Sequence, residues 1–273
     1  HVTQLATYSI RRHFPDLIDT ENPPLALLDR VIGLQCELIA HWLGVGFVHG
    51  VMNTDNVAIS GETIDYGPCA FMDRFAGHTV FSSIDANGRY SYGRQPHIMH
   101  WNMARFAEAL LPAVHAVNPA GVDTAKAMVE AIPKRFSGEW LKRMRQKLGF
   151  AEAAEGDEAL IDALFDELEK HQIDFTLFFR SLAMILRGDG TMLESLSADP
   201  EAIAPWIFDW WERVARETDA PLDRADAMDA VNPLYIPRNH KVEAALASAE
   251  AGDLAPWTEL LDVVRNPYVE RAE

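Results

Sequence analysis

The stretch His49-Gly50-Val51-Met52-Asn53-Thr54-Asp55-Asn56, followed nine residues after Asn56 by Asp65-Tyr66-Gly67, decides how this chain is read. It pairs two oxygen donors of different character, a neutral amide at Asn56 and a carboxylate at Asp65. Mg²⁺ usually keeps only one or two protein oxygens and completes its shell with water and substrate phosphates, so the pair suits a metal held against a nucleotide. Gly67 lets the backbone pass close to such a site. His49 and Gly50 read as support for the loop, the imidazole bracing backbone groups rather than carrying a proton.

Working outward, residues 24–44 place Leu27, Leu28, Val31, Leu34, Leu38, Ile39 and Leu43 at spacings of three and four, between Pro23-Pro24 and Gly44. That pattern predicts a long buried helix. The segment after it has no period and is rich in Gly, Asn and Asp, as a hydrogen-bonding loop is. Residues 57–60 and 62–66, separated by Gly61, predict a short β-hairpin at the metal site, and 76–96 is turn-dominated. A second strong helix begins near Pro96 and runs through Ile98, Met99, Met103, Phe106 and Leu110. Beyond residue 120 helices are predicted at 123–131, 138–147, 156–170, 174–187, 200–217, 239–250 and 254–264, with Asp123, Ser137 and Asp157 as starts and Pro133, Gly149, Gly188, Gly190, Pro221, Pro233 and Gly252 as breakers. The fold class is therefore mainly α.

Helix, loop, hairpin and Asp-Tyr-Gly follow the order of kinase-type phosphoryl-transfer machinery, in which a His precedes a base Asp, then an Asn, then a metal-holding Asp before Gly. The departure from that pattern is informative. Aligned on His49 and Asn56, the base falls at Val51, which accepts no proton. Asp55 is the nearest carboxylate that can take its place.

HGVMNTDN at 49–56, TIDYGP at 63–68, GRYSYGRQPHIMHWN at 88–102 and NPLYIPRNH at 232–240 together resemble the SelO family, kinase-like proteins described as pseudokinases that act as protein adenylyltransferases. Cys69-Ala70 departs from the family where a bulkier aromatic and a glycine are expected. The resemblance implies transfer of AMP from ATP to Ser, Thr or Tyr hydroxyls of protein substrates, with the nucleotide reversed so that its α-phosphate faces the acceptor. Carried over residue by residue, it implies Asp55 as proton acceptor, Asn56 and Asp65 as ligands of Mg²⁺ or Mn²⁺, and Asp65 as a nucleotide contact.

It also implies a protein-kinase-like C-lobe: residues 1–120 as its core with the catalytic loop and Asp-Tyr-Gly, and 121–273 as its helical continuation. The family's N-lobe, with a glycine-rich loop and a Lys/Glu pair, is expected upstream, since no such loop is found and no lysine precedes Lys126. The family's redox-active tail is likewise expected beyond Glu273, and the chain alone is expected to be inactive. Two other readings stay open: a kinase-type phosphotransferase using Asp55 as base, and an inactive pseudokinase scaffold.

The composition agrees with a globular chain: 48% hydrophobic residues and a formal charge of −17 over 273 residues. Such an acidic balance argues against nucleic acid or an anionic membrane surface as partner. Residues 1–120 hold 11 acidic and 7 basic side chains, so most of the excess lies beyond. Two cysteines, Cys36 and Cys69, are too few for a disulfide framework, which with the absence of a leader pattern points to the cytoplasm.

Other features read as structure first. His97 and His100 lack further metal ligands, and Cys69 fits a small core residue. The run Trp206, Phe208, Trp210, Trp211 fits packing, and the acidic residues of 152–169 a solvated helix face. Arg89, Arg94 and Arg105 fit either phosphate or substrate contacts, or bonds that pin the turn-rich segment; the sequence does not choose.

Overall fold

The computed structural model describes residues 1–197 and 199–271. Twelve α-helices and one two-stranded sheet make up its regular structure: α1 (Val2–His13), α2 (Pro23–Gly44), β1 (Phe47–Val48), β2 (Ala70–Phe71), α3 (Gln95–Val117), α4 (Gly121–Glu130), α5 (Ile132–Leu148), α6 (Asp157–Lys170), α7 (Phe175–Leu186), α8 (Thr191–Leu196), α9 (Ala204–Val214), α10 (Pro221–Asp229), α11 (Asn239–Glu250) and α12 (Ala255–Val264). No helix among the described residues is long and apolar enough to cross a membrane.

Helix α2 forms where the apolar spacing predicts it. Its first turn holds Pro23 and Pro24, and Asn22 caps it by accepting from the Leu25 N–H at 3.3 Å. Leu27, Leu28, Val31, Ile32, Cys36 and Ile39 are buried against α3 and α5. The hydrophobic core continues without a break across residue 120 into α7, whose Phe175, Phe178, Phe179 and Leu182 are all fully buried.

The hairpin lies elsewhere than predicted. Residues 57–60 and 62–66 form no strands; β1 and β2 pair antiparallel instead, Phe47 opposite Phe71 and Val48 opposite Ala70. The physical reason is that α2 takes up the polar groups of the excursion. Gln35 Nε2 donates to the Ala58 carbonyl at 2.8 Å, and Trp42 Nε1 donates to Thr63 Oγ1 at 2.9 Å. The whole loop of 49–69 therefore hangs from a two-strand clip.

Prolines account for most other differences. Pro133, read as a breaker, sits in the first turn of α5, where no N–H is needed, so that helix starts at Ile132 and Ser137 falls inside it. Pro221 likewise opens α10, and the stretch predicted as 200–217 is split into a 3₁₀ turn at Pro200–Ile203 and α9. Asp123 lies in the first turn of α4 and does not cap it.

The acidic residues of 152–169 are not uniformly a solvated face. The Asp157 carboxylate is fully buried between Arg145 at 2.6 Å and Arg213 at 2.7 Å, and also accepts from the Ala154 N–H at 2.9 Å. In the aromatic run, Trp206 and Trp210 are buried and donate to the carbonyls of Leu160 and Leu148, while Phe208 and Trp211 are exposed.

Candidate active site

Loop 49–56 begins at a fully buried His49. Its Nδ1 accepts from the Val51 N–H at 3.3 Å and its Nε2 lies 2.8 Å from the Ile64 carbonyl, which assigns the proton to Nε2. The ring stacks on Trp42 at a centroid distance of 5.2 Å. With both nitrogens engaged by backbone, His49 braces the loop against the segment that carries Asp65.

Gly50 makes a second fastening. Its φ is +84°, and a Cβ there would stand 3.0 Å from the Pro68 carbonyl oxygen, so only glycine lets the two segments close together. Asp65 has a φ of +58°, a left-handed conformation that Asp tolerates better than bulkier residues. A Cβ on Gly67 would lie 3.4 Å from Asp65 Oδ1, so the carboxylate folds back over this glycine.

A 3₁₀ turn at Thr54–Asn56 presents the remaining pair. Asn56 Nδ2 donates to the Val51 carbonyl at 2.9 Å, which fixes the amide and leaves Oδ1 without a protein donor among the described residues. The side chains of Asp55 and Asp65 are exposed. Among the described residues no three His, Cys, Asp or Glu side chains cluster as a metal cage. A cation at Asn56 and Asp65 would have to complete its shell with water or phosphate, which is how Mg²⁺ is ordinarily held.

The sequence reading missed the residues that hold this loop from below. Gln95, fully buried at the start of α3, accepts from the His49 N–H at 3.0 Å and donates to the Phe47 carbonyl at 2.9 Å. Asn102 donates to the Met52 carbonyl at 3.0 Å, and its Oδ1 is buried without a partner. The signal was present: two amides seven residues apart on the apolar face of one helix. Tyr90 adds a third support, its O–H donating to Asn53 Oδ1 at 2.6 Å.

The segment 232–240 is a clamp remote from the loop. Asn232, fully buried, receives Lys147 Nζ at 2.6 Å and donates to the Lys147 carbonyl at 2.9 Å. Arg238 joins Asp73, just after β2, to Asp174, which it meets at 2.7 Å. Burial lowers the Lys147 pKa well below the usual lysine range.

Cys69 is half-buried, and burial raises its thiol pKa; its Sγ donates to the Tyr66 carbonyl at 3.2 Å. It lacks the electropositive surroundings that make a reactive thiolate. A cavity of about 310 Å³ adjoins Tyr66, lined also by Trp42, Phe47, Thr63, Phe71 and Arg143.

The sequence model of the family described as "Protein adenylyltransferase SelO" matches residues 1–265. The chain is 72% identical over 272 residues to the "Protein nucleotidyltransferase YdiU" of Sphingopyxis alaskensis, covering 100% of this chain and 56% of that protein. It is 49% identical over 272 residues to the protein of the same name in Cereibacter sphaeroides strain KD131, covering 100% of the chain and 55% of the relative. With the one from Chromobacterium violaceum it shares 48% identity over 272 residues, 99% of the chain and 57% of the relative. The chain thus spans about half the length of these relatives, whose names set the class as protein nucleotidyltransferases. The chain belongs to the SelO family.

Proposed function

We propose that residues 1–120 form the core of a kinase-like C-lobe, continued by 121–273, in a cytoplasmic pseudokinase that moves AMP from ATP to Ser, Thr or Tyr hydroxyls of proteins. The observation that carries this reading is the double fastening of the Asp55-Asn56 loop to the Asp65 segment, through His49 Nε2 to Ile64 and Gly50 against Pro68. It supports reading Asp55 as a carboxylate base and Asn56 and Asp65 as oxygen ligands on one short loop system.

Asp55 takes the proton of the acceptor hydroxyl as that oxygen attacks the α-phosphorus. The new P–O bond replaces the bond from the α-phosphorus to the bridging oxygen, and pyrophosphate leaves with the electron pair. Asn56 Oδ1 and the Asp65 carboxylate would hold Mg²⁺ or Mn²⁺, the Asn56 amide being already fixed by its bond to the Val51 carbonyl. The cation, when bound, neutralises phosphate charge that grows on the leaving group. Val51 at the usual base position supports attack at a different phosphorus from a different side.

The intact protein, given ATP labelled at the α-phosphate, is expected to place label on protein. Asp65→Ala should abolish it, and Asp55→Ala should slow it by about 10²–10⁴-fold. Label moving only from the γ-phosphate would identify a kinase-type phosphotransferase instead. Stabilisation by nucleotide and Mg²⁺ without any transfer would identify a scaffold.

A further inference from the structure

We propose that the acceptor protein docks through an acidic segment, on a basic aromatic ledge formed by Arg89, Trp101 and Arg105; this rests on the protein-transfer reading above. In a chain with a formal charge of −17, three of the seven basic side chains within residues 1–120 lie in the span from Arg89 to Arg105. Two of them stack on one ring, Arg89 at 5.2 Å and Arg105 at 5.4 Å from the Trp101 centroid, and Trp101 is 39% exposed. Arg89 also lies 5.6 Å from the Tyr90 ring. Stacking uses the guanidinium faces, and the edges match a carboxylate in a bidentate fork.

The carboxylates nearby do not neutralise the ledge. Asp85 is spent on the N–H groups of Arg89 and Tyr90, both at 2.7 Å. Glu108 meets Arg105 at 2.6 Å in a pair whose side chains are 42% and 59% exposed, so an incoming carboxylate exchanges with it at little cost. Arg94, bound to the carbonyls of Asn87 and Gly88, and His97 extend the basic surface along a shallow concavity shared with Arg89.

The ledge is continuous with the catalytic loop on two sides. Tyr90 bonds Asn53, two residues before Asp55. Arg105 also lines a cavity of about 310 Å³ with Thr54, Val57, Asn102 and Phe106. Asn102, only 2% exposed, also lines this cavity, and its buried Oδ1 has no donor among the described residues. An extended chain crossing this groove sets acidic side chains on Arg89 and Arg105 and passes its hydroxyl by Asp55. A polynucleotide offers anions too, but the overall negative field opposes it.

The test uses the full-length protein and a fluorescein-labelled peptide with a central tyrosine flanked by glutamates, beside its lysine-flanked counterpart. The glutamate peptide is expected to bind, and the Arg89→Glu/Arg105→Glu double variant to weaken it about tenfold, as does raising the salt past about 0.5 M. In the transfer assay KM for that peptide rises by a similar factor while kcat holds within about twofold, and the lysine peptide improves on the double variant. Equal binding of both peptides to the natural protein, a fall in kcat with KM unchanged, or equal displacement by polyuridylate overturns the ledge. Transfer without charge preference sinks the ledge and leaves the transfer reading standing. Charge-selective binding without any transfer sinks that reading and leaves the ledge.

Discussion

At the scale of single residues, charge and backbone strain are placed where the surroundings force them. Asp65 in the left-handed region is a strained position and Gly50 lies close against Pro68 where a Cβ would not fit, and both lie in the loop system proposed to hold the metal. Asp157 shows the opposite arrangement, a charge made structural. Burial alone would raise its pKa, but the bonds from Arg213, the Ala154 N–H and Arg145 outweigh that and hold it below the usual 3.8. The folded chain therefore binds fewer protons than the unfolded one just below pH 3.8. The stabilisation is complete above that pH and is lost as the pH falls through the folded value. Asp157→Asn is expected to cost about 3–5 kcal/mol at neutral pH, because it leaves Arg145 without its anion and Arg213 with Glu217 alone. Denaturant titrations should show this gap constant between about pH 5 and 7 and shrinking in stronger acid.

At the scale of elements, helix α3 does two jobs with two faces. Ile98, Met99, Met103 and Leu110 bury it against the core, while Gln95 and Asn102 reach loop 49–56 and Trp101 stays at the surface. Gln95 satisfies one donor and one acceptor of a strand end that has no other partner for them, so it substitutes for a third strand beside β1. Gln95→Leu keeps the volume and orphans the His49 N–H and the Phe47 carbonyl. The expected cost is about 1–3 kcal/mol for each orphaned group. If Gln95 positions the loop, kcat in the full-length protein falls at least about tenfold while nucleotide still raises the melting temperature. A purely structural role would lower stability and leave kcat of the folded fraction unchanged.

At the scale of the whole molecule, the chain is tied together by long-range polar contacts over one continuous core. Arg238 is the widest of these, joining Asp73 after β2 to Asp174 at the cap of α7, where Asp174 also accepts from the Leu177 N–H at 2.8 Å. Burial lowers the Arg238 pKa but the two aspartates outweigh it and raise it, so it is charged at every accessible pH. Arg238→Met should cost about 1.5–3 kcal/mol and leave two carboxylates facing each other. Hydrogen exchange checks this. The Phe75 and Phe175 amides, bonded to the Ile173 and Asp73 carbonyls, should lose protection before those of α2 do.

The local rules written into the sequence determined the mainly helical class, the extent of α2 and the start of α3, because apolar periodicity acts over a few residues. Even so, proline was misread as a stop at Pro133 and Pro221, where a missing N–H is harmless in a first turn. Only the tertiary structure decided where the strands pair, since Gln35 and Trp42 of α2 claim the polar groups of 57–66 across more than twenty residues. It alone decided that Asp157 is buried and that Gln95 and Asn102 carry the loop. A polar side chain reads as exposed in sequence until a partner distant in the chain removes it from water.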